Sequence, residues 1–331
     1  MISHILKSSG RNVMAFIGGI LQNYQSNLLI NDPGNSEQPI VVVEADEFDR
    51  SFHRLSPNVV VLTTVDPDHL DIYHTENEFE EGFIEFLQKI EEGGKLIVNE
   101  CVVEHIHSDF TSHKVVYGQH VPEGFTLQDS VPGKEVFTLS DEVYELGVSG
   151  IHNVHNAVGA VLAVKSVGLK HDEINSALSS FNGVKRRFEY IVNRPEAVYI
   201  DDYAHHPSEI QFLVESLRRI YPNRKITGVF QPHLFSRTQD FMDGFASELS
   251  KLDQLILLDV YPARELPIEG VTSDVLFEKI TLENKCRSSI EEAVNTLSKL
   301  ELDIVVTIGA GDIDLLVNPI KNMLELDQLI A

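Results

Sequence analysis

Positive charge is scarce in this 331-residue sequence: 26 lysines and arginines face 51 aspartates and glutamates, for a formal charge of -25. That balance excludes duplex nucleic acid and anionic membranes as main partners, because their phosphates would be repelled. A phosphate-bearing small molecule stays open, given a cation and a few local basic groups to offset the field. Cysteine is also scarce. Cys101 and Cys286 stand far apart, and no CxxC or Cys/His zinc spacing occurs. Two reduced thiols fit a cytoplasmic protein. No apolar run reaches the roughly 20 residues that a membrane helix needs. The stretch from Val13 to Leu21 follows Lys7 and Arg11 and superficially mimics a signal peptide. It is short, contains Gly18-Gly19 and leads to no A-x-A site, so it reads as interior structure. Two catalytic signatures are missing as well: no G-x-x-x-x-G-K-[ST] phosphate loop and no G-x-S-x-G elbow occurs.

What is present suits two domains. Hydrophobic residues make up 43% of the chain, enough for two cores at this length. MISHILKSSG reads as the end of a helix, with Ile2, Ile5 and Leu6 on one face, Gly10 as its stop and no visible start. PIVVVE (39–44) and NVVVLTTV (58–65) are continuous apolar runs that read as buried parallel strands, each followed by acids. Phe79, Phe83, Phe86, Leu87 and Ile90 mark an amphipathic helix closed by Gly93-Gly94. Strands follow at 95–99 and 115–118, then antiparallel ribbons between Phe125 and Val148. Helices are expected over 153–167 and 172–181. Near residue 186 Gly183 and three basic residues interrupt the periodicity and mark a domain boundary. Beyond it strands at 197–201, 225–230, 254–260 and 303–309 alternate with helices near 207–220, 237–251, 273–280, 288–299 and 311–325. That rhythm is a doubly wound sheet.

Ligands of open parallel sheets bind beyond the carboxyl ends of the strands, so acids and histidines there are candidates. Glu44 ends one strand and His69 follows another; if those strands are neighbours, the two side chains can face one crevice. A carboxylate is a natural magnesium ligand, whereas a histidine suits manganese better or acts behind the ligands. The other reading of DPDHLD is a helix cap with a solvated acidic turn. Asp201-Asp202-Tyr203-Ala204-His205-His206-Pro207 follows the first strand of the second half, with Pro207 fit for the first turn of a helix. It could bind metal, phosphate or ribose, or be surface polarity around one packed tyrosine. Lys185-Arg186-Arg187 could clamp a polyphosphate or be a solvated linker. Gln231-Pro232-His233 and Arg237 follow another strand end; Arg237 could hold a carboxylate or be a helix-start surface charge. Gly309-Ala310-Gly311 lacks the third glycine of the dinucleotide fingerprint and reads as a tight turn. His152, Asn153 and Asn156 begin a helix, as caps or as readers of a purine edge.

In order, VVVEADEFDRSF, TTVDPDHLDIY, SGIHNVHNAVGAV, GVKRRFEYI, IDDYAHHPSEI, FQPHLFSRTQDF, DVYPARELPIEG and IGAGDI resemble the Mur ligases, over nearly the whole chain. Each segment is modest alone; the ordered set is specific. EADE, DHLD, DDYAHHP and DVYPARE point to the alanine-adding branch. The nearest other branch attaches a whole tripeptide to the same nucleotide sugar. The resemblance implies a central ATPase-type α/β domain over 1–185, truncated at its N-terminus, and a doubly wound Rossmann-like C-terminal domain over 186–331. The family's Gly-His-Gly-Lys-Thr loop and its UDP-sugar domain would precede Met1. The expectation is thus a fragment that begins inside a helix and does not turn over alone.

The implied reaction is ATP-dependent amide formation in peptidoglycan precursor synthesis. The lactyl carboxylate of UDP-N-acetylmuramate becomes an acyl phosphate, and the amine of L-alanine displaces phosphate. Positioning and charge neutralisation do most of such work. The resemblance assigns magnesium, with manganese as the alternative, to Glu44 and His69. It assigns adenine to His152, Asn153 and Asn156, and the ATP phosphates or ribose to Arg187. Asp202 and His205 close over the nucleotide, while Tyr203, His233 and Arg237 face the amino acid and acyl phosphate. His69, His205 and Arg237 are the implied catalytic residues. Leu234 stands where some members carry a basic residue. Gly82, Phe83, Ile84 and Glu85 fill the region where several relatives carry a modified lysine, so no carbamylated lysine is expected. Two other readings stay open: a metal-dependent hydrolase built on Glu44, His69, His205 and His206, and a non-catalytic nucleotide- or partner-binding module.

Overall fold

A computed structural model describes residues 1–48, 50–65, 73, 75–106, 113–121, 124–128 and 130–326. The chain divides into two compact units, Met1–Ser130 with Lys134–Gly183, and Val131–Gly133 with Val184–Ala331. Among the described residues no helix is long and apolar enough to cross a membrane.

The first unit opens with α1 (Ile2–Ser8). Gly10 takes a left-handed φ of 76°. Its N–H donates to the Lys7 carbonyl and that of Arg11 to the Leu6 carbonyl, a Schellman stop that turns the chain into β1 (Val13–Leu21). β2 (Ser26–Leu29) pairs with β1 antiparallel and β3 (Ile40–Val43) pairs with it parallel. Phe16 lies opposite both Leu28 and Val43, and Val41 lies opposite Met14. One face of this sheet therefore carries Phe16, Ile20, Leu28, Val41 and Val43, all at least 40% exposed. This corrects the expectation that PIVVVE is buried throughout: alternate residues of β3 face outward.

The second sheet behaves as its apolar runs suggest. β4 (Val59–Leu62), β5 (Lys95–Asn99) and β6 (His113–Tyr117) are parallel, in that order. β3 pairs with β1 and β4 with β5, so the strands leading to Glu44 and His69 are not hydrogen-bonded neighbours among the described residues. Thr75 accepts a hydrogen bond from the Glu78 amide and starts α2 (Glu76–Leu87), whose Phe79, Phe86 and Leu87 pack with Val60, Leu62, Leu96 and Val98. The opposite face receives α3 (Ile151–Ser166). There a Cβ on Gly159 would lie 2.9 Å from Val61 and 3.1 Å from the Tyr117 hydroxyl, so glycine permits the close approach. β7 (Thr126–Leu127), β8 (Glu135–Leu139) and β9 (Glu142–Leu146) form the antiparallel ribbon. Ser140 and Asp141, at φ 50° and 64°, make the two-residue turn that matches strand twist. α4 (His171–Ser179) packs on β9.

The second unit is one six-stranded sheet, ordered β10-β11-β15-β12-β13-β14. β11 (Val198–Asp202), β12 (Ile226–Phe230), β13 (Gln254–Leu257), β14 (Lys285–Arg287) and β15 (Ile304–Ile308) are parallel. β10 (Glu189–Asn193) adds an antiparallel edge. One face is covered by α5 (Pro207–Ile220), α7 (Met242–Leu249) and α8 (Ser273–Lys279), through Ile210, Leu213, Leu217, Phe245 and Leu276. The other receives α9 (Ala293–Leu297) and α10 (Val317–Leu326), through Ala293, Leu297 and Ile320. Three helices differ from expectation. The segment 237–251 breaks at Phe241 into α6 (Phe235–Asp240) and α7. The segment 288–299 shrinks to α9, and 311–325 begins as a tight 3-10 turn over Asp312–Leu316.

Candidate functional site

Because β11, β12, β13 and β15 are parallel, the segments that leave their carboxyl ends emerge on one edge of the sheet. Asp201 and Asp202 finish β11 and are both buried. Asp201 accepts from Thr307 Oγ1 at 2.6 Å and from Arg186 Nε at 3.1 Å. Burial raises its pKa, opposed by those two partners. Asp202 accepts the Phe188 amide at 2.7 Å and the Ala204 amide at 2.8 Å. Burial pushes its carboxyl up to about 6, against the Arg187 charge and the two amides. Both oxygens are thus engaged by backbone, and Asp202 ties the 186–188 turn to the 203–206 loop. Arg186, at φ 60°, also donates to the Gly309 carbonyl at 2.7 Å. The Tyr203 ring lies near two guanidiniums, 5.1 Å from Arg186 and 5.5 Å from Arg187.

The protonation of His205 follows from its partners. Its Nδ1 lies 2.8 Å from the Tyr203 carbonyl oxygen, which can only accept. Nδ1 therefore carries the hydrogen, and in the neutral ring Nε2 is the acceptor. Burial lowers the His205 pKa, opposed by Glu209 and aided by Arg237. Glu209 accepts the His205 amide at 2.8 Å and Arg187 Nη1 at 3.0 Å. Burial alone would raise its pKa, but His205 and Arg187 outweigh that and hold it low. His206 spends its ring differently: it caps α5, accepting the Ser208 amide.

His233 lies at the other end of this cluster, with its ring centroid 6.3 Å from that of His205. Arg237 Nη1 approaches His233 Nδ1 at 3.3 Å. A guanidinium only donates, so this Nδ1 is the acceptor and Nε2 holds the hydrogen. The two histidines are thus opposite tautomers: His205 offers an acceptor and His233 a donor. Arg237 is buried in α6. Leu234 precedes α6 at φ 67° and ψ 139°, a region that a leucine enters only when its surroundings hold it there.

Gly309 and Gly311 follow β15, and both are needed for close approach. A Cβ on Gly309 would lie 2.7 Å from the Gln231 carbonyl oxygen, and one on Gly311 would lie 2.8 Å from Tyr261. Gln231 donates to Asp312 and accepts the Ile313 amide, which knits the ends of β12 and β15 together.

In the first unit Glu44 directly follows β3. Its Oε2 accepts the Gly18 amide at 2.8 Å, while its own amide donates to the Phe16 carbonyl. Oε1 makes no hydrogen bond among the described residues. His69 lies outside the described residues. Among those described, no group of three or more histidine, cysteine, aspartate or glutamate side chains could hold a metal. The start of α3 corrects the capping alternative for His152 and Asn153. Gly150 is the N-cap, at φ 110°, and its amide donates to the buried Glu135 at 2.9 Å, a carboxylate favourably set at a helix N-terminus. Asn153 is buried and donates to the Ser149 carbonyl at 2.7 Å. His152 is half-buried and Asn156 exposed.

The structure brings together Arg187, Asp202, Tyr203, His205, His233 and Arg237 within the second unit. Glu44 and the His152–Asn156 helix start belong to the first. Sequence reasoning passed over Glu209, Gly18, Tyr261 and Glu265. Glu209 was within reach, since it completes a capping box three residues after His206.

Comparison with known proteins shows the family of both units. Residues 1–164 match the model of the Mur ligase middle domain, and residues 186–311 match that of the Mur ligase glutamate ligase domain. The chain is 45% identical over 332 residues to the UDP-N-acetylmuramate–L-alanine ligase of Cytophaga hutchinsonii, covering 98% of this chain and 71% of that protein. It is 43% identical over 327 residues to the enzyme of the same name from Flavobacterium johnsoniae, with the same coverage. Among solved structures, the UDP-N-acetylmuramate–alanine ligase of Thermotoga maritima superposes with a TM-score of 0.77 at 22% identity, covering 98% of this chain and 72% of that one. The Thermotoga maritima MurF ligase in complex with ADP gives 0.73 at 18%, with 98% and 77% coverage.

Proposed function

This chain belongs to the Mur ligase family, and from that premise we propose that it carries the nucleotide- and amino-acid-handling parts of a UDP-N-acetylmuramate–L-alanine ligase. The observation that carries the reading is the pair of histidines beside Arg237. An α-amino acid needs an acceptor for its amine and donors for its carboxylate. His205 Nε2 supplies the first; His233 Nε2–H and the Arg237 guanidinium supply the second, with the two rings 6.3 Å apart. The alanine-adding relatives at 43 to 45% identity support the same substrate.

In this reading the lactyl carboxylate attacks the γ-phosphorus of ATP, ADP leaves, and an acyl phosphate forms. The amine of L-alanine attacks the acyl carbon, phosphate departs, and His205 Nε2 takes the amine proton. The lowered pKa of His205 keeps it unprotonated for that task. Arg237 and His233 hold the carboxylate, and Tyr203 lines the same place. Asp202 acts through the backbone, fixing the loop that carries Tyr203 and His205. Arg187 faces phosphate or ribose. His152 and Asn156 meet the adenine, with Asn153 holding the turn at Ser149 beneath them.

Magnesium fits the donor chemistry of Glu44. One carboxylate suffices when phosphates and water supply the other ligands, and among the described residues Glu44 commits one oxygen, to the Gly18 amide. Glu44, with His69, would hold the ion, which supplies neutralisation of phosphate charge when bound.

The test is ADP release by this chain joined to the part of the Cytophaga hutchinsonii ligase outside the match. ATP, magnesium and UDP-N-acetylmuramate are supplied, with the 331-residue chain alone as control. Release should depend on L-alanine, with glycine and the tripeptide poorer. Release that ignores the amino acid, or that prefers the tripeptide, refutes the reading.

A further inference from the structure

We propose that Tyr261 is a positioning residue that fixes the ring and tautomer of His233, and thereby the direction in which His233 and Arg237 present their donors. Tyr261 grips the His233 segment from both sides. Its amide donates to the Pro232 carbonyl at 2.8 Å, and its carbonyl accepts the Leu234 amide at 2.9 Å. These two bonds make His233 and Tyr261 a parallel bridge that extends the β12–β13 pairing past the ends of both strands. The Tyr261 ring then stacks on the imidazole, with centroids 5.7 Å apart and planes 16° apart.

The surroundings support a dedicated clamp. Leu234 holds its left-handed φ of 67° with its amide bound to Tyr261, and its carbonyl accepts the Thr238 hydroxyl at 2.6 Å. The unusual backbone at Leu234 turns the chain from His233 into α6, where Arg237 sits one turn on. Glu265, from the same loop as Tyr261, accepts the Ser236 amide at 3.0 Å and its hydroxyl at 2.5 Å. Gly311 leaves the space that the tyrosine occupies. Loop 259–265 therefore holds both ends of the His233–Arg237 segment. The stack restrains the imidazole from flipping about its Cβ–Cγ bond. Without it a half-turn about that bond would put Cδ2 in the place of Nδ1, removing the acceptor that Arg237 meets and with it the bias toward the Nε2–H tautomer.

The tautomer of His233 tests this without any ligand. In the nitrogen-15-labelled 331-residue chain, two-bond proton–nitrogen correlations at neutral pH should show His233 with one protonated and one bare ring nitrogen, assigned by His233→Gln. Tyr261→Phe should keep that pattern. Tyr261→Ala should move the two nitrogens toward a common averaged position while His205 stays in its Nδ1–H form. Tyr261→Leu keeps bulk without the stack and should give the same averaging should the alanine variant fail to fold. An unchanged His233 in the alanine or leucine variant, or an averaged His233 in the parent chain, overturns the proposal. The consequence for the amino acid rests on the functional reading above. In the ligation assay Tyr261→Leu should raise KM for L-alanine about tenfold and leave KM for ATP unchanged. Equal rises for both would leave the tautomer result standing and remove the amino-acid consequence.

Discussion

Replacing Asp202 by asparagine should remove a pH dependence from the stability of the C-terminal unit. Burial pushes this carboxyl from 3.8 to about 6, against the pull of Arg187 and two backbone amides. The folded state therefore binds the proton more tightly than the unfolded chain does. The stabilisation is complete below 3.8 and is lost as pH rises through about 6. A tenfold difference in proton affinity corresponds to about 1.4 kcal/mol. Between about pH 5 and about pH 7.5 the parent protein should lose roughly 1.4 kcal/mol relative to the variant. Burial raises Asp201 and Glu189 too, but both proteins retain them and their contribution cancels to first order. Asparagine can accept one of the two amides and sets an NH2 against the other, which lowers stability by about 1–3 kcal/mol at every pH. The slope therefore carries the test. The chain has no tryptophan, so far-ultraviolet circular dichroism during urea unfolding is the suitable probe. Parallel stability curves, or a parent that gains on the variant as pH rises, would refute the argument.

Three further perturbations address the sites directly. Arg237→Ala removes a buried charged donor, at a cost of about 2–5 kcal/mol; kcat/KM for L-alanine should fall at least thirtyfold by roughly that conversion. Arg237→Lys should not restore it, since the planar fork is lost. Glu209→Gln removes the charge that opposes the lowering of the His205 pKa, so the acidic limb of the kcat profile should move to lower pH; an upward shift would contradict the role of His205 as base. Gly18→Ala would place a Cβ 2.6 Å from Glu44 Oε1, and the magnesium needed for half-maximal ADP release should rise about tenfold.

Much of this architecture was legible because it depends on local chemistry. Gly10 stops α1 by supplying a left-handed residue, and Pro207 opens α5 through its fixed backbone angle. The covered runs at β4 and β5 read correctly because helices lie on both their faces. The same pattern at β3 misleads: Val41 is 56% exposed, and nothing in a run of valines says what packs on either side. Helix 237–251 was unreadable at Phe241, which leaves the helical region at φ -113° and ψ 18° with nothing in the periodicity to mark it. Within the candidate site, residue types pointed to strand ends that the second sheet gathers on one edge, but not to how the side chains there are engaged. Asp202 looked like a ligand and is taken up by two amides. The tautomers of His205 and His233 exist only through a carbonyl and a guanidinium brought near them by folding. Tyr261 reaches His233 across paired strand ends, a link with no signature in spacing.

In the proposed reaction this chain takes part in amide formation through an activated carboxylate. The most direct measurement uses UDP-N-acetylmuramate with oxygen-18 in its lactyl carboxylate, in the completed ligase with ATP, magnesium and L-alanine. Each amide formed should deliver one labelled oxygen to inorganic phosphate. Unlabelled phosphate beside the amide product, with the departing labelled oxygen found in water or in AMP, would contradict it.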